Sequence, residues 1–286
     1  MIIDAHHHVW DLTVREQDWL ADESMTPIRR NFSVDDLRPA AKAAGVTATV
    51  MVQTITVAGE TPEMLATAAA DPLVAGVVGW IDITSAAVAD ELAMLRAGVG
   101  GEYLVGIRHQ VQSERDPDWL RRPDVIRGLR TVADAGLAYD LIVKPHQLSA
   151  ATYAAGAVPD LRFVLDHAGK PAIADSGLNA WAGPLRELSG LPNVACKLSG
   201  LVTEAAPGAR VADIAPYADV VLNAFGPDRL MFGSDWPVCL LVNDYGDVVH
   251  LALALVSGLS AHEQAAVFGA TAARVYAIRA PRRAPS

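Results

Sequence analysis

The sequence predicts an α/β protein built as a single (β/α)8 TIM barrel, on three observations. Eight short apolar runs rich in β-branched residues recur along the chain, alanine- and leucine-rich segments with helical spacing lie between them, and 286 residues suffice for one such barrel without a second unit. The first run, Met1 to His8, is followed by Thr47 to Thr54, Val74 to Asp82, Leu104 to Gln110, Ala138 to Lys144, Arg162 to His167, Asn193 to Leu198 and Leu230 to Trp236. Helical spacing appears in Ser33 to Ala44, Thr61 to Ala70, Ala86 to Arg96, Val125 to Ala135, Ala180 to Leu188 and Val211 to Phe225. The third run is apolar almost throughout, as a strand covered on both faces must be. Eight strand-then-helix units favour closure over an open sheet, and no G-x-G-x-x-G opens the first helix, so a dinucleotide fold lacks its signature. No low-complexity linker divides residues 1–286, which read as one domain, and the tail 276–286, rich in Pro and Arg, reads as frayed. The longest connection, Val9 to Phe32, follows the first strand and belongs at the C-terminal face, where barrels bind ligands.

Composition narrows the function classes. With 51% hydrophobic and 20% charged residues the chain has ample core material, which excludes disorder. Lys and Arg number 23 against 33 Asp and Glu, a net charge of −10, and the one basic cluster is the short stretch Arg279 to Arg283, so nucleic-acid binding is not expected. Two cysteines, Cys196 and Cys239, each inside apolar sequence, fit a reducing compartment. No basic leader precedes an apolar stretch, and no uninterrupted apolar segment approaches the roughly 18 residues of a membrane span. A cytoplasmic protein acting on a small molecule is the expectation, with a homo-oligomer left open.

The chemistry-bearing residues cluster at strand ends. In Asp4-Ala5-His6-His7-His8, alternation puts His6 and His8 on one face and His7 on the other, and imidazoles at i and i+2 can share one divalent ion. A structural histidine cluster is the alternative. Asp166-His167 closes the sixth run and Ser234-Asp235-Trp236 the eighth; each puts a titratable group after an apolar stretch and before a turn, where a helix cap is the competing explanation. Arg108, at the end of the fourth, offers a planar fork for a carboxylate or an oxyanion. Gln53, Trp80 and His109 read as pocket lining, and Trp19, Trp119 and Trp236 as a stacking wall for a sugar-like ring. Lys144 and Lys197 are either site residues or salt-bridge partners, and His146 lies just beyond Lys144-Pro145.

Five segments carry a resemblance: Ile3 to Asp11, Gly106 to Gln110, Leu165 to Pro171, Cys196 to Leu201 and Met231 to Val238. Together, and in this order, they resemble the amidohydrolase superfamily, and within it the amidohydrolase-2 group of barrel hydrolases that includes hydrolases of L-fuconolactone and L-rhamnonolactone. The resemblance implies that His6 and His8 are the strand-one ligand pair, His167 the strand-six histidine and Asp235 the strand-eight aspartate. It implies hydrolysis of a sugar-acid lactone to its aldonic acid, with Asp235 as the base, His167 assisting, and either a metal or Arg108 polarising the carbonyl. Strand four lacks the lysine of binuclear members and strand five offers no plain histidine ligand. One divalent ion, zinc or a similar cation, on His6, His8 and Asp235 is therefore expected, with metal-independent catalysis as the alternative. A metal-dependent decarboxylase of an aromatic or unsaturated acid, and a non-catalytic barrel binding a sugar acid, are the competing functions.

Overall fold

The computed structural model describes residues 2–278. All eight apolar runs form strands: β1 Ile2–His7, β2 Val46–Val52, β3 Val74–Gly79, β4 Leu104–His109, β5 Ala138–Leu141, β6 Arg162–Leu165, β7 Val194–Leu198 and β8 Leu230–Phe232. They form one parallel sheet in the order β1 to β8. The two edges meet where the His8 N–H donates to the Trp236 carbonyl at 2.7 Å and the Asp235 N–H to the His6 carbonyl at 2.8 Å, which closes the barrel. Between the strands run α1 Val34–Ala43, α2 Glu60–Ala70, α3 Val88–Ala97, α4 Pro123–Asp134, α5 Leu148–Ala157, α6 Leu178–Ser189 and α7 Val211–Phe225, with α8 Tyr245–Leu255 after β8. Their starts follow local chemistry. The Ser33 hydroxyl and the Asp36 carboxylate form a reciprocal capping box at α1, and Pro123 occupies the first turn of α4, where a missing N–H costs nothing. α5 and α8 answer to no helix anticipated from spacing, because α5 is half alanine and α8 mostly valine, leucine and alanine, so neither shows much amphipathic contrast. No helix among the described residues is long and apolar enough to cross a membrane.

Several strands stop short of their apolar runs. β5 ends at Leu141 rather than Lys144, β6 at Leu165 rather than His167 and β8 at Phe232 rather than Trp236. His167 and Asp235 lie at φ 50° and 58°, a left-handed backbone that no strand accommodates. The chain leaves the sheet at the positions where its functional side chains begin.

Two apolar layers hold the barrel. The larger fills the space between sheet and helices. The smaller takes residues from every strand, among them Val50, Val78, Ala138, Val164, Ala195 and Met231, fills the interior, and is closed below by Ala272, Val275 and Tyr276. The expected frayed tail thus starts too early: Tyr276 is 1% exposed and its hydroxyl donates to the Asp140 carboxylate at 2.8 Å, whereas residues 279–286 lie outside the described ones. Two residues up each strand from the apolar filling, on the same face, Ala138 gives way to Asp140, Val164 to Asp166 and Ala195 to Lys197, so a polar layer sits on the apolar one.

Candidate active site

At the C-terminal face a cleft of about 590 Å³ opens, with His8, Arg108, His167 and Asp235 in its wall. The long β1–α1 connection supplies one side. It is pinned where Trp10 pairs with Phe32 through both backbone groups and where Trp19 Nε1 donates to Gln17 Oε1 at 2.9 Å, Gln17 Nε2 in turn donating to the Thr54 hydroxyl at 2.9 Å. The Thr54 hydroxyl donates to buried Glu60, so Trp19 is held on the cleft wall through a chain that ends inside α2.

His6, His8, His167 and Asp235 converge. His6 Nε2 lies 3.2 Å from His8 Nε2, and Asp235 Oδ1 lies 3.7, 3.5 and 3.8 Å from Nε2 of His6, His8 and His167. Each is oriented from behind. His8 Nδ1 meets the Val52 carbonyl at 2.7 Å and His167 Nδ1 the Ser199 hydroxyl at 2.9 Å. A Cβ at Gly200, itself at φ 64°, would come within 2.6 Å of His167 Nδ1, and one at Gly233 within 2.7 Å of His6 Cβ, so both glycines are close-approach positions. Asp4 sets the turn that carries Asp235: its carboxylate accepts from the Ser234 N–H at 2.8 Å, the Ser234 hydroxyl at 2.6 Å and the Tyr245 hydroxyl at 3.0 Å.

Burial sets the charge states. It drives His167 down to about 4 and, with the nearby Lys197 ammonium, His6 well below the usual imidazole range. Burial alone would raise Asp235, but the nearby His167 and His8 imidazoles outweigh it and hold the carboxyl below the ordinary aspartate range. At neutral pH the centre is an ionised Asp235 carboxylate facing the neutral imidazoles of His6 and His167. The donor set also fits a cation. A tetrahedral zinc with bonds of roughly 2.0–2.1 Å separates its ligand atoms by about 3.4 Å, close to the 3.2–3.8 Å spacings here. The ligand atoms of His6, His167 and Asp235 all lie within 4.8 Å of one another. The strand-one pair and Asp235 anticipated from sequence and this second trio therefore share His6 and Asp235.

Arg108 is buried beside them, but its fork is occupied. Nη1 donates to Asp166 Oδ2 at 2.9 Å, Nη2 to Gln53 Oε1 at 3.0 Å and to the Gln53 carbonyl. This geometry leaves no open bidentate face for a substrate carboxylate. Lys197, weighed as a salt-bridge residue, is fully buried and ion-paired with Asp140 at 2.6 Å and Asp166 at 2.9 Å. Asp140 escaped sequence reasoning, although a lone acid at inward parity in an apolar strand is a readable signal.

Of the residues expected to line the cleft, Trp19 does. Gln53, Trp80, His109 and Trp236 do not. Gln53 is consumed in holding Arg108; Trp236 is buried edge-on against Phe32. Trp80 Nε1 donates to His109 Nδ1 at 3.0 Å, His109 Nε2 meets Glu114 at 2.7 Å, and the His109 ring stacks on Trp119 at 4.4 Å, so these side chains clamp the end of β4 instead. Lys144 and His146 are exposed. Gln110, Gln112 and Lys170 line the cleft in their place, with Lys170 Nζ bonded to Gln112 Oε1 at 3.1 Å and Glu204 at 3.2 Å.

Comparison with known proteins finds relatives over nearly the whole chain. The family model described as Amidohydrolase matches residues 3–278. An L-fucono-1,5-lactonase from Burkholderia multivorans is 40% identical, the alignment covering 98% of this chain and 97% of that protein, and one from Burkholderia ambifaria is 36% identical over 98% and 96%. A crystal structure of an amidohydrolase from Burkholderia multivorans with bound zinc superposes with a TM-score of 0.92 at 39% identity, covering 98% of this chain and all of the other. Fold and full-length similarity coincide, and the chain belongs to the amidohydrolase family.

Proposed function

We propose that the protein hydrolyses a sugar-acid lactone of the L-fucono-1,5-lactone type to the aldonic acid, with Asp235 as the base. The carrying observation is the Asp235 carboxylate, ionised and open to the cleft, with the Nε2 atoms of His6, His8 and His167 within 3.5–3.8 Å. A ring ester is already electrophilic, so the reaction needs a placed water, a proton acceptor and stabilisation of the oxyanion more than a strong leaving-group acid. Asp235 takes one proton from water as the water oxygen bonds to the carbonyl carbon. The ring C–O bond then breaks, and the leaving oxygen takes that proton back from Asp235. The buried Arg108 charge beside His6 contributes positive potential without gripping the substrate. A divalent ion such as zinc, held by His6, His8 and Asp235, would supply Lewis-acid polarisation of the carbonyl when bound. Trp19 offers the ring face a flat apolar wall, while Gln112 and Lys170 offer polar groups to its hydroxyls. The full-length identity to two L-fucono-1,5-lactonases supports this substrate class.

Replacing Asp235 with Asn keeps size and removes the base. Acid release from L-fucono-1,5-lactone, followed with a pH indicator and corrected for spontaneous opening, should fall by about 10²–10⁴-fold with the melting temperature preserved. An undiminished rate would remove Asp235 from the chemistry.

A further inference from the structure

Below the imidazoles runs a buried polar column that the lactonase steps leave unused. Lys197 Nζ touches Asp140 Oδ2 at 2.6 Å, Asp166 Oδ1 at 2.9 Å and His6 Nδ1 at 3.1 Å. An ammonium has three N–H donors and no acceptor, so towards His6 Nδ1 it only donates, and Nδ1 must present its lone pair. A neutral imidazole has a single ring proton, which then resides on Nε2. The next link agrees. His8 Nδ1 faces the Val52 carbonyl, which only accepts, so the His8 proton is on Nδ1 and its Nε2 lone pair receives the His6 Nε2–H across 3.2 Å. The donors run from Lys197 through His6 and His8 to Val52; the one opposed donor among the described residues is Arg108 Nη1, 3.5 Å from His6 Nε2, whose shorter bond goes to Asp166 Oδ2 at 2.9 Å.

The opposite tautomer of His6 would keep only the 3.5 Å contact from Arg108 at Nε2, in place of the 3.1 Å bond from Lys197 and the 3.2 Å bond to His8. It would set two lone pairs face to face and aim its N–H at an ammonium, with Asp166 Oδ1, 3.3 Å away, as the one acceptor in reach among the described residues. That disfavoured tautomer is the one a metal ligand at Nε2 requires. We propose that Lys197 is a positioning residue that holds His6 in its Nε2–H form, so that a divalent cation is taken up at this nitrogen only by moving the proton to Nδ1 against the Lys197 ammonium. This rests on the reading of His6 as part of the active centre, but the readouts below need no turnover and so stand or fall apart from the lactonase assignment.

In long-range 1H–15N spectra of the metal-stripped full-length protein labelled with 15N-histidine, the His6 ring, identified by its loss in His6→Asn, should carry its proton on Nε2. In Lys197→Met the proton should move to Nδ1, with Asp166 as acceptor, and zinc affinity measured against a chromogenic chelator should rise at least about tenfold, a shift of about 1.4 kcal/mol. Removing Lys197 also removes a positive charge that would by itself weaken zinc binding. The charge-balanced variant Lys197→Met with Asp140→Asn separates the two effects, and it should keep both the proton shift and the tighter binding. A wild-type His6 protonated on Nδ1 overturns the proposal even if neither variant folds, as does a charge-balanced variant with wild-type zinc affinity.

Discussion

His7 is the strand-one imidazole that the site does not use, and its surroundings make it a liability. Alternation turns it away from His6 and His8, it is fully buried, and neither ring nitrogen has a hydrogen-bond partner among the described residues. Burial first, and the neighbouring His8 second, push its pKa down to about 3. An unfolded chain takes up a proton here near pH 6.5, whereas the folded chain resists until about 3. The stability that neutral His7 allows is therefore complete above 6.5 and is lost as pH falls from 6.5 towards 3. Leucine removes both the unpaired nitrogens and the titration. His7→Leu should raise the stability measured in urea by about 1–3 kcal/mol at neutral pH, and its advantage should widen near pH 5. A variant no more stable than wild type at either pH would show that the His7 nitrogens are satisfied.

At the scale of elements, the turn after β6 holds His167, Ala168, Gly169 and Lys170 in a left-handed run, with φ of 50° to 70°, and Gly200 closes over it from the loop after β7. Three non-glycine residues in that region store strain that only the surrounding structure maintains. Gly200→Ala would place a methyl 2.6 Å from His167 Nδ1 at a φ of 64°. The imidazole must move, so turnover of the lactone should fall by about 10²-fold for an ångström-scale displacement, with a smaller drop for Ser199→Ala, which removes only the hydrogen bond. Equal activity in both variants would mean that His167 needs no fixed placement. The β1–α1 connection makes a different demand. Gln17→Leu breaks the link from Trp19 to Thr54 without touching the base, so KM should rise while kcat holds; a kcat loss at constant KM would remove Trp19 from ring binding. Such elements explain what was legible in the sequence. Hydrophobic period located all eight strands, alternation put His6 and His8 on one face, and position after an apolar run put His167 and Asp235 at the same end of the barrel. Strand ends were overrun because a pattern of apolar residues carries no sign of φ. Trp80 and His109 were misplaced because position at a strand end does not tell whether a ring faces the cleft or a neighbouring ring.

For the molecule as a whole, the column from Tyr276 through Asp140 and Lys197 to His6 ties the last described turn of the chain to its first strand through the barrel's middle. Asp140 is the sensitive member. Burial raises its pKa to about 6 even with the Lys197 ammonium beside it, and the Tyr276 hydroxyl is its other stabilising donor. A carboxyl whose pKa is raised on folding contributes most below its unfolded value near 3.8, and that contribution is lost as pH rises through about 6. Tyr276→Phe keeps the ring that closes the interior and withdraws the donor, which lifts the folded pKa further and makes the ionised form costlier. The deficit against wild type should therefore be about 1–3 kcal/mol near pH 8, where Asp140 must be charged, and should shrink near pH 5, where it is largely protonated in both folded proteins. Urea midpoints at the two pH values measure this directly. A deficit independent of pH would reduce Tyr276 to a packing role, with no electrostatic part in the column that ends at His6.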